Sequence, residues 1–367
     1  MTEIDSRAWT AGGASDSDID WDGPFRDPVR PVQYLGDTRQ LLTLLLRVTL
    51  LALVTASIYR FWGKTQVRQY LWRNIRLFGE PLIYTGTPNQ LLLGTVVAVI
   101  VIGPALYLFY LVGDTDGGLV GLASVLASIG VYYVGRYAAL RYRIRSTRWQ
   151  AAFGSLGGSP FSYALASVAM LLVVAMTAGL LLPERNWTLY RYQITKMALG
   201  DQQFAVGHKP TGLTRVWVVC LILLVPTLGI SFAYYKACEF TAFLGATGFS
   251  GRRVRAHFKT SDLIFVYWPY ASLIVASGLL GFFEIHPEQL ISVAGPAGEV
   301  LAYALSIAIA LTVWTIIRVL VVHNLVRALA DKLEIEGPVE TIEIKPDRKT
   351  DPRIGEGILG VVDVGGL

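Results

Sequence analysis

A unit that occurs three times does most to limit what this chain can fold into. Hydrophobic runs end in Thr55-Ala56-Ser57-Ile58, Thr177-Ala178-Gly179-Leu180 and Thr227-Leu228-Gly229-Ile230. Each run is followed by a polar, aromatic and mostly basic stretch and then by a glycine-centred turn. The first and third copies align without a gap, which sets Ile58, Lys64, Gly79, Leu82 and Leu91 opposite Ile230, Lys236, Gly251, Val254 and Leu263. The middle copy needs one gap, which brings Gly200-Asp201 opposite Gly79-Glu80. No recurring catalytic group travels with the repeat, so it speaks to architecture rather than activity.

The chain is 53% hydrophobic and 16% charged, where a soluble domain carries about a quarter charged residues. A bilayer-spanning helix needs about 20 apolar residues. Seven stretches are candidates: Leu41–Ile58, Leu91–Val112, Gly118–Val134, Tyr163–Leu182, Val216–Tyr235, Leu263–Phe283 and Val300–Val321. The expected fold is an all-α membrane protein, a polytopic bundle of about seven transmembrane helices with small β-hairpin caps and an internal helix-plus-hairpin repeat. Residues 1–36 read as an acidic tail of disordered composition, 37–333 as the transmembrane repeat domain and 334–367 as a cytoplasmic tail. The acidic start lacks the basic-then-apolar order of a cleavable signal, so the first span is expected to act as the targeting signal.

Basic clusters set the expected orientation. Arg60, Lys64, Arg68, Arg73 and Arg76 follow the first span, Arg136 to Arg148 follow the third, and Lys236 to Lys259 follow the fifth. The positive-inside rule places these loops and the C-terminus in the cytoplasm. Residues 184–215 disagree, because simple alternation puts them outside while they carry Arg185, Arg191, Lys196, Lys209 and Arg215. Either the middle repeat is inverted, as repeats in membrane proteins often are, or one segment is re-entrant. Seven spans with an inverted middle copy is the expectation.

Ile75 to Tyr84 places strand-forming residues on both sides of a glycine turn, the pattern of a β-hairpin. Similar turns centre on Gly200-Asp201 and Gly251-Arg252, with a weaker relative over Thr147 to Gly154. Isolated hairpins are marginal in water, so these are expected to pack together or on helix ends.

Ile58-Tyr59-Arg60-Phe61-Trp62-Gly63-Lys64-Thr65, continuing through Val67 to Trp72 and Gly79-Glu80-Pro81-Leu82-Ile83-Tyr84, resembles the YjgN-like bacterial inner-membrane proteins. Arg143 to Trp149, Tyr190 to Gln193, Gly200 to Phe204 and the ending Gly355 to Gly366 match as well. The resemblance implies a multi-pass protein of the bacterial inner membrane, with no assigned activity and no catalytic residues to carry over. The third repeat departs from the pattern, since Lys236-Ala237-Cys238-Glu239 has little of the basic-aromatic spacing of the first copy.

Little in the chain points to catalysis. His208, His257, His286 and His323 lie in four separate segments without metal-ligand spacing. Cys220 and Cys238 have no paired spacing and read as buried small hydrophobes. The serine in Phe153-Gly154-Ser155-Leu156-Gly157 lacks the setting of a nucleophile elbow. No catalytic, cofactor-binding or metal residue is therefore assigned, no cofactor is expected, and the modest positive charge is explained without nucleic acid. Arg60, Lys64, Arg68, Arg73 and Arg76 are candidate contacts for anionic head groups or a partner protein, each cation near a membrane surface being worth about 1 kcal/mol. Setting topology is their other explanation. Arg47, inside the first span, either snorkels to the interface or forms an intramembrane polar site. The leading functional expectation is a non-enzymatic scaffold or lipid-associated protein in contact with the bilayer and a membrane or cytoplasmic partner. A transporter or channel for a small or amphipathic solute is the alternative, and an enzyme acting on lipid comes third.

Overall fold

The computed structural model describes residues 19–25, 27–55, 58–96, 118–227, 229–264, 317, 321–336 and 344. Two short strands, β1 (Pro28–Val29) and β2 (Val32–Tyr34), precede a pair of helices, α1 (Thr38–Val54) and α2 (Arg60–Asn74). The hairpin β3 (Ile75–Leu77) and β4 (Glu80–Tyr84) follows, and then α3 (88–96). After α4 (Leu119–Arg145) come β5 (Thr147–Trp149), β6 (Ala152–Leu156), α5 (Pro160–Met176) and α6 (Leu182–Ile194). Next come β7 (Met197–Leu199), β8 (Gln202–Val206), α7 (Leu213–Ile222), α8 (Ile230–Gly245), β9 (Thr247–Phe249) and β10 (Arg252–Ala256). A helix over 321–332 leads into β11 (Leu333–Glu336).

The eleven strands among the described residues belong to one antiparallel sheet. The four hairpins stand side by side in chain order, joined by Leu82↔Trp149 between β4 and β5, Leu156↔Met197 between β6 and β7, and Val206↔Thr247 between β8 and β9. Beyond them β11 pairs with β10, and β1 pairs with β11 through Pro28↔Glu336. At the other end β2 pairs with β3 through Val32↔Leu77. Only Arg30 and Pro31 separate β1 from β2, so one stretch of chain carries both edges and the sheet bends round to bring its ends together. Its inner face borders a half-open apolar cavity of about 190 Å³, where Phe78, Leu199, Phe204, Phe249, Val254 and Ile335 from across the strand order meet Tyr190, Ile194 and Leu244 of the helices. Curling in this way hides the unpaired edges that would otherwise recruit another chain.

The helices stand on this sheet as returning pairs. α1 and α2 connect β2 to β3, α5 and α6 connect β6 to β7, and α7 and α8 connect β8 to β9. Each pair turns back at the repeated threonine. Thr55, Thr177 and Thr227 donate through Oγ1 to the carbonyls of Leu51 (2.7 Å), Val173 (2.9 Å) and Leu223 (2.6 Å). The same oxygens accept from the backbone N–H of Tyr59 (3.0 Å), Leu181 (3.4 Å) and Ser231 (3.2 Å) in the returning helix. One hydroxyl thus serves the orphan groups of two helix ends. In two of the turns a glycine, Gly179 or Gly229, holds φ +86, a left-handed backbone that side chains disfavour.

This architecture corrects the expected all-α, seven-span polytopic bundle. The hairpins are present where expected and pack together, as one continuous sheet that the expected all-α class did not include. The span Leu41–Ile58 is α1, 17 residues ending at Thr55. Tyr163–Leu182 likewise ends at Thr177 after the 17 residues of α5. Val216–Tyr235 is two helices, with α7 only 10 residues long. Gly118–Val134 is the first part of α4, which runs on through Arg136, Arg141, Arg143 and Arg145. Among the described residues, no helix is long and apolar enough to cross a membrane. Most of Leu91–Val112, Leu263–Phe283 and Val300–Val321 lies outside the described residues. Hydropathy counts apolar length and does not register a threonine that ends one helix and starts the next. The conflict over 184–215 disappears for the same reason: the turn at Thr177 sends the chain back, and β7–β8 joins its sister hairpins. Strands β1 and β2 lie within the stretch read from composition as a tail, and β11 opens the stretch read as the C-terminal one.

The helical layer closes as the sheet does. Leu41 and Leu45 of α1, Val67 and Leu71 of α2, and Val322 and Val326 of the last helix form one buried cluster. Val321 packs on the other side against Ala237 of α8 and Leu263. His323 sits in this seam, 3.1 Å from Thr38 Oγ1 and edge-on to the Tyr34 ring at 5.4 Å. Burial first, and then Arg327, push its pKa below the ordinary 6.5, with Asp37 pulling the other way. As pH falls through 6.5 the unfolded chain takes up this proton before the folded one. The contribution of His323 is therefore complete above that value and declines below it. Urea unfolding measured from pH 7 to pH 5 is expected to show a falling midpoint, and His323→Gln should flatten the fall.

Candidate functional site

The five basic residues singled out from the sequence divide between two environments. Lys64 and Arg68 are buried, Arg60 is half-buried, and Arg73 and Arg76 are exposed. Arg68 lies fully inside, donating from Nη1 to the Tyr84 hydroxyl at 3.1 Å with its guanidinium 5.7 Å from the centre of that ring. Trp72 meets the Tyr84 ring edge-on and donates to Thr147 Oγ1 at 2.8 Å, so α2 is fixed to β4 and β5. The stripe of cations spaced four apart faces inward because Gly63 on the same face lets α2 approach Val48 of α1 closely. Arg47 lies on the exposed side of α1.

Counting nine residues on from each turn threonine gives Lys64, Asn186 and Lys236, one hydrogen-bond donor in each helix pair. Asn186 and Lys236 meet at Glu239, a carboxylate of α8 that is only 4% exposed. Glu239 accepts from Asn186 Nδ2 at 2.6 Å, from the Tyr235 hydroxyl at 2.8 Å and from Lys236 Nζ. A buried carboxylate needs both a counter-charge and hydrogen bonds, and this one has them from two repeats. Sequence reasoning passed over Glu239; the one local signal was its three-residue spacing from Lys236. Among the described residues, no three His, Cys, Asp or Glu side chains gather as a metal site would require.

The tips of the helix pairs are the more unusual feature. Val54 is 83% exposed, Met176 87% and Val225 81%, one at each tip. Ile58, Leu180, Ile222 and Ile230 extend the same apolar ends. No charged residue occurs in 48–59, 161–183 or 216–235. Along α5 the exposed apolar face continues through Leu172 and Leu165 to Phe161. Contiguous exposed apolar surface is uncommon on soluble monomers. Charge is concentrated at the opposite end, where α2, α4 and the hairpins carry the arginines into the sheet.

A second anchor of charge holds the sheet itself. Arg253 on β10 uses all five of its N–H groups: two reach Glu336 of β11 (2.9 and 3.2 Å), and the others reach the carbonyls of Trp21, Gly23 and Pro24 (2.8 to 3.0 Å). The hydrogen-bonded Glu336 raises its pKa most, against an opposing effect of burial.

No characterised protein and no solved structure matches the chain. Its membership rests on the sequence pattern of a single family, which covers residues 29–356 and so takes in the closing strand, every hairpin and all three turns. The chain belongs to the bacterial protein family of unknown function DUF898, in keeping with its YjgN-like features.

Proposed function

We propose that this protein is a lipid-associated scaffold whose three helix pairs dip their tips into the apolar part of a bilayer while the curled sheet stays at the polar side. The observation that carries this reading is the large apolar residue more than four-fifths exposed at every tip, Val54, Met176 and Val225. The helix pairs reach far enough: α1 and α5, at 17 residues each, are about 25 Å long. Each pair enters and returns on the same side, so the threonine turn needs no polar partner beyond the hydrogen bonds it makes internally. In this reading Arg73 and Arg76, exposed near the base of the first pair, contact head groups or a partner protein.

Flotation of the purified chain with phosphatidylcholine vesicles tests the reading. The triple variant Val54→Glu, Met176→Glu, Val225→Glu should lose at least about a hundredfold in vesicle partitioning, since each buried acidic residue costs on the order of 2.5 kcal/mol in lipid. Its melting behaviour should stay unchanged because the three side chains touch little of the protein. Undiminished binding of the triple variant would remove the basis for tip insertion.

A further inference from the structure

At the junction of α4, β6 and the end of α6, an open cavity of about 540 Å³ is bordered by Arg145, Ser155, Thr195, Lys196, Gln203 and the Gly157-Gly158 turn. Among the described residues, no carboxylate lines it, and neither the Arg145 guanidinium nor the Lys196 ammonium has an ion-pair or hydrogen-bond partner. Burial, followed by the nearby Arg141, lowers the pKa of Arg145. The glycine turn beside Lys196 is pinned by hydrogen bonds. Tyr137 donates to the Gly157 carbonyl at 2.7 Å, Arg141 donates to the carbonyls of Gly157 and Gly158, and Tyr192 accepts from Ser159 N and donates to Ser159 O. Arg141 is thereby committed to the backbone, which leaves Arg145 and Lys196 facing the opening. Three residues past the turn, Phe161 is 71% exposed and begins the apolar face of α5.

We infer that this cavity binds a phosphate group, held by Arg145 and Lys196 with Ser155, Thr195 and Gln203 supplying neutral hydrogen bonds. An arginine fork and a lysine point charge together suit a phosphate oxygen set. The exposed start of α5 beside the cavity suits an acyl chain, so an anionic phospholipid is one source of the phosphate and free inorganic phosphate is the other. The lipid source rests on the bilayer reading above, whereas the phosphate site does not.

The experiment uses the full chain and the double variant Arg145→Gln, Lys196→Gln, with Lys196→Arg as the charge-conserving control. Inorganic phosphate binding is followed by titration calorimetry, and flotation is compared on phosphatidylcholine vesicles with and without phosphatidylglycerol. The double variant should lose roughly thirtyfold in its preference for phosphatidylglycerol, the effect of two cations at a membrane surface. It should float unchanged on pure phosphatidylcholine, and Lys196→Arg should keep the preference. Loss of calorimetric phosphate binding without any vesicle preference in the parent would support the site and assign it to free phosphate. A parent that neither titrates with phosphate nor prefers phosphatidylglycerol would overturn the site, as would a double variant that matches the parent in both assays. Failure of all proteins to float on pure phosphatidylcholine would count against tip insertion alone, because the phosphate titration is independent of it.

Discussion

Arg253→Ala should lower the stability of the chain by about 3 kcal/mol, the scale of breaking a largely buried, hydrogen-bonded ion pair. The arginine side chain is 10% exposed and Glu336 22%, so solvent recovers only part of the loss. Removing the guanidinium takes two hydrogen bonds from the Glu336 carboxylate and one from each of three backbone carbonyls at once. Arg253→Lys should recover a minority of the stability, since one ammonium cannot reach acceptors spread over β11 and residues 21–24. Urea unfolding gives the magnitude, and hydrogen exchange gives the location: residues 333–336 and their β1 partners should exchange faster, while β5 to β8 keep their protection. Uniform loss of protection across the sheet would show that Arg253 is not a local clasp.

Gly154→Ala should be nearly as damaging, at about 3 kcal/mol, through overpacking alone. Gly154 pairs with Leu199 on β7 and has an ordinary strand backbone. An added Cβ, however, would collide with the carbonyl oxygen of Ile144 in the last turn of α4. A backbone atom cannot rotate away, so β6 must lift off α4. Gly79→Ala is the informative comparison. There φ is +84 and nothing lies within 4 Å of the new methyl, so the cost is the left-handed backbone alone, about 1–2 kcal/mol. Thermal melts of the two variants should rank Gly154→Ala below Gly79→Ala; the reverse order would mean that β6 has room to move.

The hairpins were legible because their information is local: strand-forming residues flank a turn within ten positions, as from Ile75 to Tyr84. The repeat was legible for the same reason. What the sequence hid was the meaning of its threonines. Apolar residues on both sides of Thr55, Thr177 and Thr227 read as single spans, and only the double hydrogen bond of each hydroxyl reveals two helices meeting. Charge was misleading in a related way. Lys64 and Arg68 have the spacing of an exposed stripe, and their burial depends on Tyr84 from the next hairpin and on the close approach at Gly63. Arg253 and Glu336 lie at opposite ends of the last repeat and the C-terminal strand, and no local pattern announces such a pair.

The circular strand order also imposes a timetable on synthesis. Each hairpin from β3 to β10 can pair with its predecessor as soon as it leaves the ribosome, because its neighbour is already made. Strand β1 is different: it emerges first, yet its partner β11 is among the last strands to appear. Throughout that interval the N-terminal stretch has β2 seated on β3 and β1 waiting, with a free backbone edge beside it. Two nascent chains held close together could exchange these first strands, each completing the other's ring. The closing contact is thus a place where the fold can choose between finishing alone and finishing with a copy of itself.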